Sequence, residues 1–295
     1  MTTDQPAQDM IPALIRWTAA QNSIRAALLT STRAVPNARV DALSDYDVIL
    51  VVQDIHPYLD DRTWLDDFGE VLIAYWDPVQ PDPEFGIEKC ANVVQYVDGL
   101  KIDFTLWPVA LLRKIVAAPA LPAELDAGYR VLLDKDGQTT RMLPPTYRAY
   151  IPARPTLETY QVIINDFLSD APYVAKSLWR DELLPAKWVL DYDMKHVYLR
   201  QLLEWRMEID QDWSARANLL GKGLKNHLPS DMWEEFEQTF AGARTADNWE
   251  ALRRTMECFR RVAMEVGQHL GYVYPEDLHR RVGAYVEKIR CMEPP

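Results

Sequence analysis

The spacing of apolar residues changes character once along the chain, near residue 150. Before that point they come in short runs bounded by turn residues; after it they recur three and four apart over long stretches. In the first half, residues 8–21 (QDMIPALIRWTAAQ) predict a short helix, despite Pro12 near its start. Residues 24–33 (IRAALLTSTR) predict a strand running into a turn, and Pro36, Asn37 and Asp41 mark the loop that follows. Residues 45–53 (DYDVILVVQ) predict a second strand, whose unbroken apolar run suits burial on both faces. A helix over 62–70 and a strand over 71–76 come next. Past a loop rich in proline and acid, VVQYV (93–97) and KIDFTLW (101–107) flank Asp98-Gly99, a hairpin signal. A helix over 109–118 and a last strand with its turn over 129–137 complete this half.

Two prolines in PARPTLETY (152–160) precede Thr156, which is placed as a helix N-cap. Beyond it the strand pattern vanishes, and helices are predicted over 157–180, 183–208, 230–240, 248–271 and 276–290. The pattern is that of an α+β chain, with a mixed-sheet domain over 1–150 followed by an all-α helical domain over 151–295. There is no internal repeat and no low-complexity tract.

Composition narrows the function classes. A chain of 295 residues, 48% of them hydrophobic, can bury a sizeable core or two. No run approaches the roughly 18 apolar residues of a membrane span, and the polar start MTTDQPAQDM is wrong for a secretory signal. Cys90, Cys258 and Cys291 are far apart, which argues against a disulfide framework or zinc site and for a cytoplasmic protein. The net charge of −12 argues against a nucleic-acid-binding face. It fits a cationic partner, although solubility alone explains the overall balance. The distribution says more: residues 54–88 hold ten acids against one base, Arg62, and predict an acidic wall for a cationic substrate.

The candidate chemistry lies in three aspartates. Asp45 and Asp47 are i and i+2 at the mouth of the second strand, so they share a face. Taken alone, they are also what a turn residue and an edge-strand solubiliser look like. Asp103 changes that, because it interrupts an otherwise apolar strand next to the hairpin. Three carboxylates from two adjacent strands can converge on Mg²⁺, which takes oxygen ligands and phosphates. Upstream, LLTSTR ends the first strand in a small-residue turn of the kind that offers N–H and hydroxyl groups to phosphate oxygens.

In this order of strand, small-residue turn, D-x-D strand and later acid, the chain resembles the nucleotidyltransferase superfamily. Within it, the likeness is to the aminoglycoside 6-adenylyltransferases, also called streptomycin adenylyltransferases. That family's L-E-G-S-R turn lies over LTSTR (29–33), and its DYD strand over Asp45-Tyr46-Asp47. Its hairpin lies over DGLKIDFTLWP (98–108) and its LLDKD over 132–136. In the helical half YVAKSLWRDEL (173–183), LGKGLK (220–225) and GYVYPED (271–277) continue the likeness.

The resemblance implies a DNA polymerase β-like domain ahead of the helical one, with ATP and substrate in the cleft between them. The implied reaction moves AMP from ATP to a hydroxyl of a streptomycin-like aminoglycoside and releases pyrophosphate, giving antibiotic resistance. Asp45 and Asp47 would hold Mg²⁺, and Asp103 would complete the metal site and help activate the incoming oxygen. Ser31, Thr32 and Arg33 would meet the triphosphate, as would Lys176 from the helical domain. Glu182 is implied as general base or anchor for a substrate amine, with an ordinary surface glutamate as the alternative. No nucleic-acid or membrane partner is expected.

One departure stands out. The superfamily's turn opens Gly-Ser, and here it is Ser31-Thr32, which adds a Cβ where glycine permits φ > 0 and close approach of phosphate. Two rivals follow: a nucleotidyltransferase with another small-molecule or protein acceptor, and a catalytically silent nucleotide-binding member. Elsewhere, His196 reads as a packed or surface residue. GKGLK (221–225) lacks the full phosphate-loop pattern and reads as a charge cluster at a helix N-terminus. Trp76, Trp107 and Trp179 fit either stacking on a ligand or packing.

Overall fold

A computed structural model of the chain describes residues 10–36, 38–214 and 219–293. Asn37, and residues 8 and 9 of the predicted first helix, lie outside the described residues. The chain divides between Ala149 and Tyr150 into two compact units.

The first unit is built on a mixed sheet. Helix α1 (Ile11–Ala20) has Pro12 in its first turn, where a missing N–H is tolerated. The strands are β1 (Ile24–Thr30), β2 (Tyr46–Val52), β3 (Val71–Trp76), a two-residue β4 (Gln80–Pro81), β5 (Glu88–Tyr96), β6 (Lys101–Pro108) and β7 (Tyr129–Asp134). Their order is β3-β5-β6-β2-β1-β7, with β4 paired to β5. The β2–β6 pair is parallel and the other pairings are antiparallel. Short helices α2 (His56–Asp60), α3 (Val109–Ala117) and α4 (Ala123–Asp126) fill the connections.

Both faces of the central strands are covered, which is why β2 reads as a continuous apolar run. On one face Val48, Leu50, Ile102 and Phe104 meet Leu14 of α1 together with Tyr58, Leu65 and Phe68. On the other, Ile49, Val51 and Trp107 meet Leu111, Leu112 and Ile115 of α3. The hairpin between β5 and β6 turns at Asp98-Gly99, as the dipeptide predicts. Gly99 takes φ 92°, and the Asp98 carboxylate accepts the Leu100 N–H at 3.0 Å.

In this unit two predicted elements differ from those observed. Residues 62–70 form a 3₁₀ turn over Thr63–Phe68 rather than an α-helix, ended by Gly69 at φ 147°. The tighter turn sends both Leu65 and Phe68 into the sheet-facing core. Strand β5 begins at Glu88, ahead of the predicted start at 93, because β6 pairs with it as far as Cys90↔Leu106 and β4 pairs with its first residues.

The second unit is helical, with α5 (Leu157–Trp179), α6 (Leu183–Lys187), α7 (Arg200–Asp210), α8 (Ser230–Glu237), α9 (Thr245–Leu270) and α10 (Glu276–Arg290). Thr156 caps α5 as predicted, its hydroxyl accepting the Thr159 N–H at 3.1 Å. The single helix predicted over 183–208 is α6, a π-helical stretch Trp188–Leu199, and α7. Inside that stretch Asp191 bridges Lys187 and the buried Lys195 at 2.6 and 2.7 Å. The core joins α5, α7 and α9, where Phe167 stacks on Phe259. Among the described residues no helix is long and apolar enough to cross a membrane.

Candidate active site

Strand parity builds the carboxylate site. On β2 the residues Tyr46, Val48 and Leu50 face α1, so Asp47 shares the opposite face with Ile49 and Val51. The parallel pairing of β2 with β6 sets Asp47 directly beside Asp103. Helix α3 covers this face only towards Trp107 and Val51, and the carboxylates stay partly open to solvent.

A cation already stands among them. Lys101, two residues before Asp103 and therefore on the same face, donates from Nζ to Asp45 Oδ2 at 2.7 Å and to Asp103 Oδ2 at 2.8 Å. Burial works against its charge, but the bonds to Asp103 and Asp45 prevail and raise its pKa. The other oxygen, Asp103 Oδ1, is buried without a hydrogen-bond partner. Burial pushes Asp47 up to about 6, with repulsion from Asp103 adding to it; a bond from the Ser31 hydroxyl and the charge of Lys101 oppose the rise. Burial likewise raises Asp103 against the pull of Lys101.

Among the described residues no three His, Cys, Asp or Glu side chains are drawn together into a metal cage, because Asp45 and Asp103 are turned to the ammonium. Yet an orphaned carboxylate oxygen, next to a carboxylate whose pKa is raised by burial and a like charge, has the chemistry of a hard-cation donor set. The residues fit a divalent ion.

The small-residue turn closes one side. β1 ends at Thr30, paired with Asp47, and Ser31–Ala34 form a 3₁₀ turn. Ser31 has φ 57°, so this serine holds the left-handed conformation that glycine would take without strain. Arg33 donates to the Asp45 and Ser44 carbonyls at 2.9 and 2.8 Å and lies 3.8 Å over the Tyr46 ring. Its guanidinium therefore braces the D-x-D strand entry. Thr32 is half-buried in the same turn.

The remaining candidates belong to other elements. Lys176 is exposed on α5, 5.9 Å from the Tyr285 ring centre. Glu182 is exposed ahead of α6, its backbone N–H bonded to the Ser177 carbonyl at 2.9 Å. Within the acid-rich segment, the turn with Asp66 and Asp67 packs through Leu65 and Phe68 on the sheet face opposite Asp47 and Asp103, whereas Phe85 and Ile87 pack on the same face as those carboxylates. Alternation along β2 separates the two faces. The GKGLK stretch forms 3₁₀ turns, with Lys225 paired to Glu237 at 2.9 Å, rather than a helix N-terminus. Trp107 is fully buried, Trp76 lies in an aromatic cluster with Trp64, and Trp179 donates to the Glu293 carbonyl; all three pack. His196 is exposed. Lys101 is the site residue that sequence reasoning missed, and its signal was there: K-x-D on a strand puts both side chains on one face.

Among known proteins, residues 5–289 match the family model described as streptomycin adenylyltransferase. The aminoglycoside 6-adenylyltransferase of Campylobacter jejuni is 28% identical over 278 residues, 93% of this chain and 92% of that protein. Its namesake from Bacillus subtilis (strain 168) is 28% identical over 286 residues, 96% and 98% of the two chains. A crystal structure of an aminoglycoside 6-adenyltransferase from Bacillus subtilis aligns with a TM-score of 0.46 and 24% identity, covering 98% of this chain and 100% of that one. The match spans nearly the whole length and includes the turn, the D-x-D strand and the hairpin acid that meet at the carboxylate site, so this chain is a nucleotidyltransferase belonging to the streptomycin adenylyltransferase family.

Proposed function

We propose that the protein transfers AMP from ATP to a hydroxyl of an aminoglycoside of the streptomycin type, with Mg²⁺ as the ion held by Asp45, Asp47 and Asp103. The observation that carries this reading is the pairing of Asp47 with Asp103 on one sheet face, with Asp103 Oδ1 buried and unpartnered. A bound Mg²⁺ would supply charge stabilisation at the α-phosphorus.

The chain's own groups then have distinct tasks. The acceptor oxygen bonds to the α-phosphorus as the bond to pyrophosphate breaks, and its proton passes to a carboxylate. Asp103, beside Asp47 on the same sheet face, is assigned to take that proton. Ser31 and Thr32 offer hydroxyls and turn N–H groups to the triphosphate, and Arg33 adds positive charge while bracing Asp45. The left-handed φ of Ser31 supports an active turn over a silent one, since the backbone takes a glycine-like course despite the Cβ. Lys176 is assigned to the phosphates. Glu182 is assigned to the acceptor, as general base or as partner of a substrate amine.

The test is mass spectrometry of streptomycin after incubation with ATP, Mg²⁺ and the protein. An AMP adduct is expected, its rate falling at least about 100-fold in Asp47→Ala and Asp103→Ala. ATP·Mg²⁺ binding without an adduct would redirect the reading to another acceptor. No nucleotide binding would sink the transferase reading in favour of the silent member.

A further inference from the structure

The position of Lys101 bears on how the carboxylate site is loaded. We propose that Lys101 is a resident counter-ion of the site: in the resting protein its ammonium holds Asp45 and Asp103 together, and it must leave before a divalent ion can bind. This inference rests on reading Asp45, Asp47 and Asp103 as a metal site.

The geometry carries it. One ammonium bonds one oxygen from each of two carboxylates, at 2.7 and 2.8 Å. Asp45 lies immediately ahead of β2, while Lys101 and Asp103 are i and i+2 on the neighbouring β6, so strand parity puts the ammonium on the face of Asp103. The Lys101 side chain is 27% exposed, and the Asp103 side chain 28%, so the pair is neither locked in the core nor free in solvent. A hard dication needs the same oxygens, and its charge repels an ammonium left between them. A free divalent ion must therefore break both ion pairs. A dication arriving with a nucleoside triphosphate brings anionic oxygens to which the displaced ammonium can turn. Lys101 thus favours the metal–nucleotide complex over the bare ion as the species that loads the site.

The experiment is titration of Mn²⁺ into the nucleotide-free full chain, with free Mn²⁺ followed by electron paramagnetic resonance, for wild type, Lys101→Met and Lys101→Arg. Lys101→Met should bind Mn²⁺ more tightly than wild type by roughly 3- to 30-fold, the worth of two partly exposed ion pairs. Lys101→Arg, which keeps a cation, should stay near wild type. A lysine that merely props the strands would act with the opposite sign, because its loss would loosen the acids and weaken Mn²⁺ binding. Unchanged or weaker binding in a folded Lys101→Met variant, with wild type binding Mn²⁺ measurably, overturns the counter-ion role and leaves the metal reading standing. Mn²⁺ binding to neither wild type nor Lys101→Met overturns both. If Lys101→Met fails to fold, Lys101→Gln removes the charge with a polar side chain and carries the same expected sign.

Discussion

Ser31 and Asp170 are two residues whose local chemistry runs against the ordinary preference. A residue with a Cβ at φ 57° is strained by about 1–2 kcal/mol, and at Ser31 the hydroxyl gains a bond to Asp47 in return. Asp170, on α5, is raised to about 6 by burial first, then by the charges of Asp193 and Asp166. Its folded pKa lies above the unfolded value of about 3.9, so the folded chain holds the proton more tightly. The sign follows: stability falls as pH rises from about 4 to about 6 and levels off above. Asp170→Asn is therefore expected to raise the thermal midpoint at pH 8 and leave it unchanged at pH 4. Discounted for solvent screening, the gain is about 1 kcal/mol, or about 2–4 °C. Equal shifts at both pH values would show that the cost of holding a charge at this buried position is not the cause.

Helix α9 shows what packing does to a sequence preference. Gly267 sits inside this long helix, where alanine would ordinarily gain about 1 kcal/mol. Here a Cβ would come within 2.6 Å of the Tyr160 hydroxyl and 2.9 Å of the Tyr272 carbonyl. The first contact matters because that hydroxyl donates to the Ala263 carbonyl at 2.7 Å in a buried setting, and the second because it is backbone. Overpacking of about 1–3 kcal/mol outweighs the propensity gain. Gly267→Ala should thus lower the urea midpoint, and a stabilised variant would show that α5 and α9 can shift apart freely. The same contrast separates elements read correctly from those misread. The Asp98-Gly99 hairpin and the Thr156 cap rest on contacts within a few residues, and both were legible. The 3₁₀ turn at Thr63–Phe68 and the π-helical stretch Trp188–Leu199 answer to packing partners distant in sequence, which leave no mark on local spacing.

The chain as a whole carries a net charge of −12, and the sheet-bearing half holds 21 acids against 13 bases. Its field should draw a polycationic acceptor, so kcat/KM for the aminoglycoside is expected to drop several-fold between about 0.05 and 0.5 M salt, as the Debye length shortens. An unchanged kcat/KM would mean that long-range charge plays no part in capture. By itself the sequence determined the strands and helices, the α+β class, the family likeness and the shared parity of Asp45 with Asp47 and of Lys101 with Asp103, because these follow from residue type and local period. Only the tertiary structure decided that β2 and β6 are parallel neighbours with Asp47 beside Asp103. It alone put the Lys101 ammonium between two acids and the turn with Asp66 and Asp67 on the far face of the sheet. Strand order and pairing are contacts between segments some 50 residues apart, and the periodicity of either strand read alone holds no record of its neighbour.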